Sequence, residues 1–470
     1  MQYSSFIKQL ACLSILICIS VNAFSQAPPL ARDIEVWTMS LEEAQHFAVT
    51  HNAEAVNAQL ENNRSEAVVQ EFKALGLPQV SGTVDLRRFF DIPTSILPDF
   101  ISPTVYNVLL DESLVENSPS SFGSGIPAQF GTNYVLDANL QARQLLYSGT
   151  YNLGLKSVKK FLEKSKLDLS KKEIDVREQV ANAYFAIKII EENLKLLNDS
   201  KTNLNKILFE TKALNENGFV EEIEVDRLRL ALANINTQIA NIERQEKSGL
   251  ESLKLLMGME MKDEIILTEE LEPYINKNTK LLAEEAHIQN RVEDKQLELQ
   301  AQFDSLEVKK IRSDYFPELV AYGSIGRSFQ DNQLNIFDGE WFPTSLIGVT
   351  LSIPIFDGFQ KKGQMNQKKV TQLQNYNTRQ AFEKAFDVEV NTARSAYSNA
   401  LEAMRNQKNN LQLADKIYRV SKIKYNEGLG SSLELTTAES QQNETRGLYV
   451  QSLYELVLAI NQLKKSLGKL

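Results

Sequence analysis

Cysteine is almost missing from this chain. The only two, Cys12 and Cys18, fall within the first 18 of its 470 residues. They lie within an apolar run, Leu10 to Ile19, that follows Lys8 and precedes the small residues Ala23-Phe24-Ser25. That order of charge, apolar run and small residues reads as a secretory signal over residues 1–25, cut before Gln26. Cut there, the chain keeps no thiol, disulfide or cysteine metal site outside the cytoplasm. Ile17 before Cys18 is wrong for lipid attachment. Histidine is as scarce: His46, His51 and His287, all in segments expected to be helical. His46 and His51 lie five apart, not the four that align two ligands on one helix face. A phosphate loop, a nucleophile elbow and a dinucleotide fingerprint are also missing, so the expectation is no enzyme, no cofactor and no metal. Positive charge is in deficit, 51 basic against 61 acidic residues, which excludes a nucleic-acid partner. Past the signal no apolar run reaches the roughly 20 residues of a membrane helix, so a membrane role must come from strands.

Glycine and proline are absent over two long stretches, and that absence organises the chain. Neither occurs from Leu155 to Asn217 or from Gln364 to Glu427. Each stretch runs into a glycine-bearing turn, Asn217-Gly218-Phe219 and Gly428-Leu429-Gly430-Ser431, and a second polar-apolar run follows. Each reads as a long helical hairpin with its tip at the glycine. An offset of 210 residues carries Gly218 onto Gly428, Ile223-Glu224-Val225 onto Leu433-Glu434-Leu435, Leu253-Lys254 onto Leu463-Lys464, and Gly258 onto Gly468. The chain is two copies of one plan: residues 26–262, with the tip at 217–219, and residues 279–470, with the tip at 426–432. A linker with some local structure, residues 263–278, joins them.

Before each hairpin the period changes. Ser40 and Glu43 form a capping box for a helix reaching about Ala74. Leu77-Pro78-Gln79-Val80 breaks it, and strict alternation follows, with Val80, Gly82, Val84 and Leu86 opposed to Ser81, Thr83, Asp85 and Arg87. The same alternation recurs from Tyr134, and the second copy repeats it, more weakly after Phe316-Pro317-Glu318-Leu319 and clearly from Ser345. Four strands result, at about 79–88, 134–146, 318–327 and 345–355, each of a length and two-facedness suited to a membrane barrel. Phe89, Phe90, Tyr134, Trp341 and Phe342 stand at strand ends, where an aromatic girdle would sit. Four strands cannot close a barrel, and lipid tolerates no open edge, so strands in a membrane require several copies of the chain.

The second strands end at Tyr147-Ser148-Gly149 and Phe356-Asp357-Gly358, where the long helices begin. The first, to Leu214, would be about 100 Å long and must pack along a partner. Ala393, Tyr397, Ala400, Met404, Gln407, Leu411, Ala414, Tyr418, Ser421 and Tyr425 step by four and three throughout, a coiled-coil seam. Val180, Tyr184, Ile187, Ile190, Leu194, Leu197, Leu204 and Leu208 keep nearly the same seam in the first copy.

On these residues the chain resembles the outer membrane efflux protein family of TolC type. The most specific likeness lies in Lys424 to Leu435, Leu351-Ser352-Ile353-Pro354-Ile355-Phe356-Asp357-Gly358 and the two Pro-bearing strand starts. The resemblance implies an α+β membrane protein with an internally duplicated protomer. Its four barrel strands and long coiled-coil helices would assemble as a homotrimer, a twelve-stranded β-barrel continued by an α-helical periplasmic tunnel. It implies outer membrane lipid, a periplasmic adaptor and an inner-membrane transporter as partners, and passive export without catalysis. A duct for type I protein secretion shares this fold, and a pore-less coiled-coil scaffold is the alternative of another class. The family places an acid at the tunnel's constriction, a position that falls on Glu434; the next such position, Thr437, is not acidic here. Glu434 is equally placed to be a plain helix-start carboxylate. The tips Asn217, Gly218, Phe219, Gly428, Leu429, Gly430 and Ser431 are expected to meet the adaptor. Glu224 and Tyr425 are expected to tie hairpins together.

Overall fold

The structure, a computed structural model, describes residues 34–117, 119 and 125–470. The signal reading on residues 1–25 lies outside the described residues. Strands are β1 (Val36–Met39), β2 (Gln79–Arg88), β3 (Thr94–Leu97), β4 (Ile126–Gln129), β5 (Tyr134–Tyr147), β6 (Glu264–Leu267), β7 (Glu318–Asp331) and β8 (Trp341–Ser352). Helices are α1 (Leu41–His51), α2 (Ala53–Ala74), α3 (Ile101–Asp111), α4 (Gly149–Glu216), α5 (Glu222–Met257), α6 (Leu271–Asn278), α7 (Val292–Ser313), α8 (Gln360–Asn426) and α9 (Ser432–Ser466).

The four long strands form one antiparallel sheet in the order β2-β5-β7-β8. The two hairpins join through β5 and β7, from Tyr134 against Asp331 to Tyr147 against Leu319, with a bulge between Leu145 and Tyr147. That leaves β2 and β8 as edges. Alternation reaches into the packing: Val84 is 77% exposed and Ile347 91%, so most of the apolar face is uncovered within one chain, apart from the end where Leu136 and Phe329 are buried. The opposite face is polar, with an Arg87–Asp137 ion pair between neighbouring strands. Register puts Phe89, Phe90, Tyr134, Trp341 and Phe342 at one end of the sheet. A second set of exposed aromatics, Tyr147, Tyr315, Phe316, Phe356 and Phe359, marks the end where the helices begin.

The last strand differs from its sequence reading. It starts at Trp341 rather than about 345 and stops at Ser352 rather than 355, because β7 continues to Asp331 and gives Trp341 a partner in Phe329. The helix expected from Ser40 to about Ala74 is two helices. Asn52 breaks it: its side-chain oxygen accepts from the Glu54 and Ala55 amides, and its side-chain nitrogen donates to the Leu256 carbonyl (2.7 Å). His287 lies outside any helix, just before a short turn at Ile288–Asn290. His46 and His51 are in α1, where the His51 ring stacks on Phe47.

Within residues 263–278, β6 pairs in parallel with β1, from Val36 against Glu264 to Met39 against Leu267, and α6 follows. These pieces cap the main core, in which Tyr184, Phe185, Met257, Ile265, Leu267, Tyr274, Leu456 and Ile460 pack together. The buried Tyr184 hydroxyl donates to the Met39 carbonyl and accepts from the Glu269 amide, stitching the small sheet to α4. The linking segment is therefore structural. The residues of the α8 seam, Ala393 to Tyr425, are all buried or half-buried.

The duplication shows in backbone conformation as well as sequence. Gly218, Gly258, Gly428 and Gly468 have φ of 77°, 73°, 71° and 70°, and each ends a helix with the same pair of backbone bonds. Their surroundings differ. A Cβ on Gly218 would meet nothing within 4 Å, whereas one on Gly258 would lie 2.3 Å from the His51 carbonyl oxygen. Gly218→Ala should therefore cost only the left-handed strain, about 1 kcal/mol. Gly258→Ala adds a backbone clash and should cost about 2 kcal/mol more by denaturant titration. Equal losses at the two sites would contradict this packing.

Candidate channel tip

α4 and α5 form one hairpin and α8 and α9 the other. At about 1.5 Å per residue, α4 and α8 are each about 100 Å long. Their far ends come together. A second apolar cluster, Leu197, Leu204, Ile207, Leu228, Ile235, Tyr418 and Leu435, joins the two hairpins near the tips.

Each tip closes by the glycine turn already described. In the first, the Gly218 amide donates to the Asn215 carbonyl and the Phe219 amide to that of Leu214 (both 2.9 Å). In the second, Gly428 donates to Tyr425 (3.0 Å), and Leu429 and Gly430 both donate to Lys424. Side chains finish the first turn, with Asn217 reaching back to the Ala213 carbonyl and Asn215 forward to that of Val220. A Cβ on Gly430 would lie 3.1 Å from that of Lys424, so this position is tight, whereas Gly428 faces open space. Both turns leave a large apolar side chain outward, Phe219 at 77% and Leu429 at 82% exposure. Ser431 caps α9 through its hydroxyl, which accepts from the Glu434 amide.

Beyond the apolar cluster, and with Lys422 donating to Asn203 about one turn back, two polar contacts bind the tips to each other. The half-buried Glu224 carboxylate accepts from the Ser432 amide (2.7 Å), so an acid of the first hairpin caps the start of α9 in the second. A carboxylate at a helix N-terminus is favoured by the exposed amides and the helix dipole. Its other oxygen lies 3.4 Å from Arg227. The Tyr425 hydroxyl meets the Thr211 hydroxyl at 2.7 Å, and Thr211 is fully buried. Burial pushes the Tyr425 phenol above its usual range, the Thr211 bond opposing and the Glu224 charge adding to the rise.

Glu434 occupies the position in the second hairpin that Glu224 holds in the first, but it makes no contact across hairpins. It is exposed and pairs with Lys424 of its own hairpin (3.1 Å). Thr437, one turn on, is exposed as well. The structure thus joins Glu224, Tyr425, Thr211 and Ser432, and places Glu434 and Thr437 on an open face of α9. Sequence reasoning missed Thr211. Its one signal was that it continues the α4 seam three residues beyond Leu208. Among the described residues, no group of three or more acidic or histidine side chains is placed to hold a metal.

Residues 288–469, nearly the whole second copy, match the family model described as Outer membrane efflux protein. Over that second copy the chain is similar to the outer membrane efflux protein family. Likeness of fold covers the first copy as well. The outer membrane protein VceC of Vibrio cholerae superposes with a TM-score of 0.64 at 14% identity, covering 91% of this chain and 96% of VceC. The CmeC outer membrane channel of Campylobacter jejuni gives 0.65 at 17%, covering 91% and 85%. The open-state MtrE outer membrane channel of Neisseria gonorrhoeae gives 0.62 at 15%, covering 91% and 88%. At these identities the likeness speaks for the fold. No protein of curated function matches the sequence. CmeC and MtrE are outer membrane channels, and this chain shares their fold.

The Glu224–Ser432 contact gives a direct test. Glu224→Gln keeps the shape but removes the charge, a loss of about 1 kcal/mol for a charge-assisted bond. Hydrogen exchange at the start of α9 should quicken about fivefold, while the Tyr184 region stays unchanged. Unchanged exchange at Ser432–Leu435 would mean that Glu224 does not hold the tips together.

Proposed function

We propose that three copies of this chain form a passive exit duct across the outer membrane, the outermost part of a tripartite efflux system. The observation that carries this reading is the sheet. Its four strands are of spanning length, it bears a mostly uncovered apolar face, and both of its edges are open. Three such sheets edge to edge make twelve strands with no free edge, the condition for stability in lipid. The two aromatic sets at the sheet's ends fit the two membrane interfaces. Among the described residues no helix is long and apolar enough to cross a membrane. The helical hairpins then continue the barrel into the periplasm.

The tips are the proposed meeting point with a periplasmic adaptor, which links the duct to an inner-membrane transporter. Exposed Phe219 and Leu429 on tight glycine turns present apolar knobs, and Gly428 leaves the space around it free for another helix tip. Bulky replacement of Gly428 should abolish efflux while leaving assembly and membrane location intact. Loss of assembly instead would make the turn purely structural.

For the pore, we propose that three copies of Glu434 ring the axis, with Thr437 one turn above. Lys424 partly neutralises each acid, so the ring favours cations modestly. In a planar bilayer Glu434→Gln should lower cation preference and weaken block by multivalent cations. Lys424→Gln should raise both. If neither variant changes ion selectivity, Glu434 does not face the pore.

A further inference from the structure

The second hairpin holds a buried polar cluster that the first lacks. Glu439, on α9 just above the tip, is 2% exposed, and neither carboxylate oxygen has a hydrogen-bond partner. Asn443 lies one helical turn further along, and its buried side-chain oxygen is also without a donor. The Tyr418 hydroxyl of α8 is in the same condition. A buried carboxylate with no donor on either oxygen is costly as an anion, and a neutral Glu439 removes that charge.

The charged groups around Glu439 have other partners, although the Arg446 Nε is itself buried without one. Arg446 of α9 donates to the Ser200 hydroxyl and the Leu196 carbonyl of α4, and lies 3.6 Å from Asp415 of α8. Lys422 of α8 donates to Asn203 of α4 (3.2 Å). From α5, Arg227 lies along the same groove but is engaged by Glu224. The groove between α5 and α9, about 430 Å³ and lined in part by Glu439 and Asn443, leaves α9 room to shift. The 210-residue offset puts Arg229 at the position of Glu439 and Leu208 at that of Tyr418. Arg229 is exposed and paired with Asp226 (2.9 Å), so the fold itself does not require a buried acid here.

We propose that Glu439 is a proton-held latch: with its proton the lower half of α9 packs against α8 and α4, and without it that half of the second hairpin loosens. Burial raises the Glu439 carboxyl to about 7, with Arg446 and then Lys422 pulling it partly back. A carboxyl raised in the folded state binds more protons folded than unfolded. Its stabilisation is whole below the ordinary value of 4.5 and is lost as pH rises through about 7. The Tyr418 phenol, pushed up to about 12 by burial and the neighbouring acid, takes no part in that range. This latch is independent of what the duct carries.

Hydrogen exchange of residues 432–446 in the solubilised full chain, corrected for intrinsic rates, tests the latch between about pH 6 and about pH 8.5. Protection should fall by at least about tenfold at the higher pH, one pKa unit of linkage. Glu439→Gln carries the donor permanently, so its protection should stay high at both. Glu439→Met removes both charge and acceptor and should be equally flat if the glutamine variant assembles poorly. The proposal is overturned if the wild type shows no such fall, or if both variants keep it.

Discussion

A row of unpaired backbone groups cannot face lipid, and this chain leaves two such rows, on β2 and β8. Everything else in the molecule is consistent with that constraint. Most of the apolar face of the sheet has no partner within the chain, and the strands lead directly into helices too long for one globular core. Closing the sheet with other copies also brings their hairpins side by side, where each long helix finds the neighbour it needs. The same device serves both layers.

Duplication gives two hairpins of one design, and function can enter where the copies diverge. Glu224 and Glu434 hold equivalent positions, yet one ties the hairpins together and the other is exposed beside Lys424. The buried Glu439 replaces an exposed Arg229. The first copy instead elaborates its outer loop, where β3, β4 and α3 stand between β2 and β5. Symmetry thus supplies the scaffold, and its breaches mark where the two hairpins differ.

What could be read from the sequence follows from the range of each interaction. Alternation and the four-three seam are local and repeat over many residues, so β2, β5 and both long helices were legible. The glycine tips were legible because left-handed backbone demands glycine. By contrast β1 and β6 are four residues each and exist through a pairing 228 positions apart, from Val36 to Glu264, which no local pattern encodes. The break at Asn52 depends on the Leu256 carbonyl, equally remote in sequence. For the tips, residue positions could be read but not contacts. The resemblance gave Glu224 and Glu434 different roles, but their partners, Ser432 and Lys424, are set by the packing of one hairpin on the other.

The edge-closure account is tested most directly by joining the two edges. A cysteine on β2 (Val84→Cys) is combined with one on β8 (Ile347→Cys, or the positions two residues to either side), and the chain is oxidised in its membrane. Disulfides between chains should yield a ladder of one, two and three copies that stops at three, because the third bond closes the ring. Bonds within single chains, or a ladder running past three, would contradict a closed barrel of three copies.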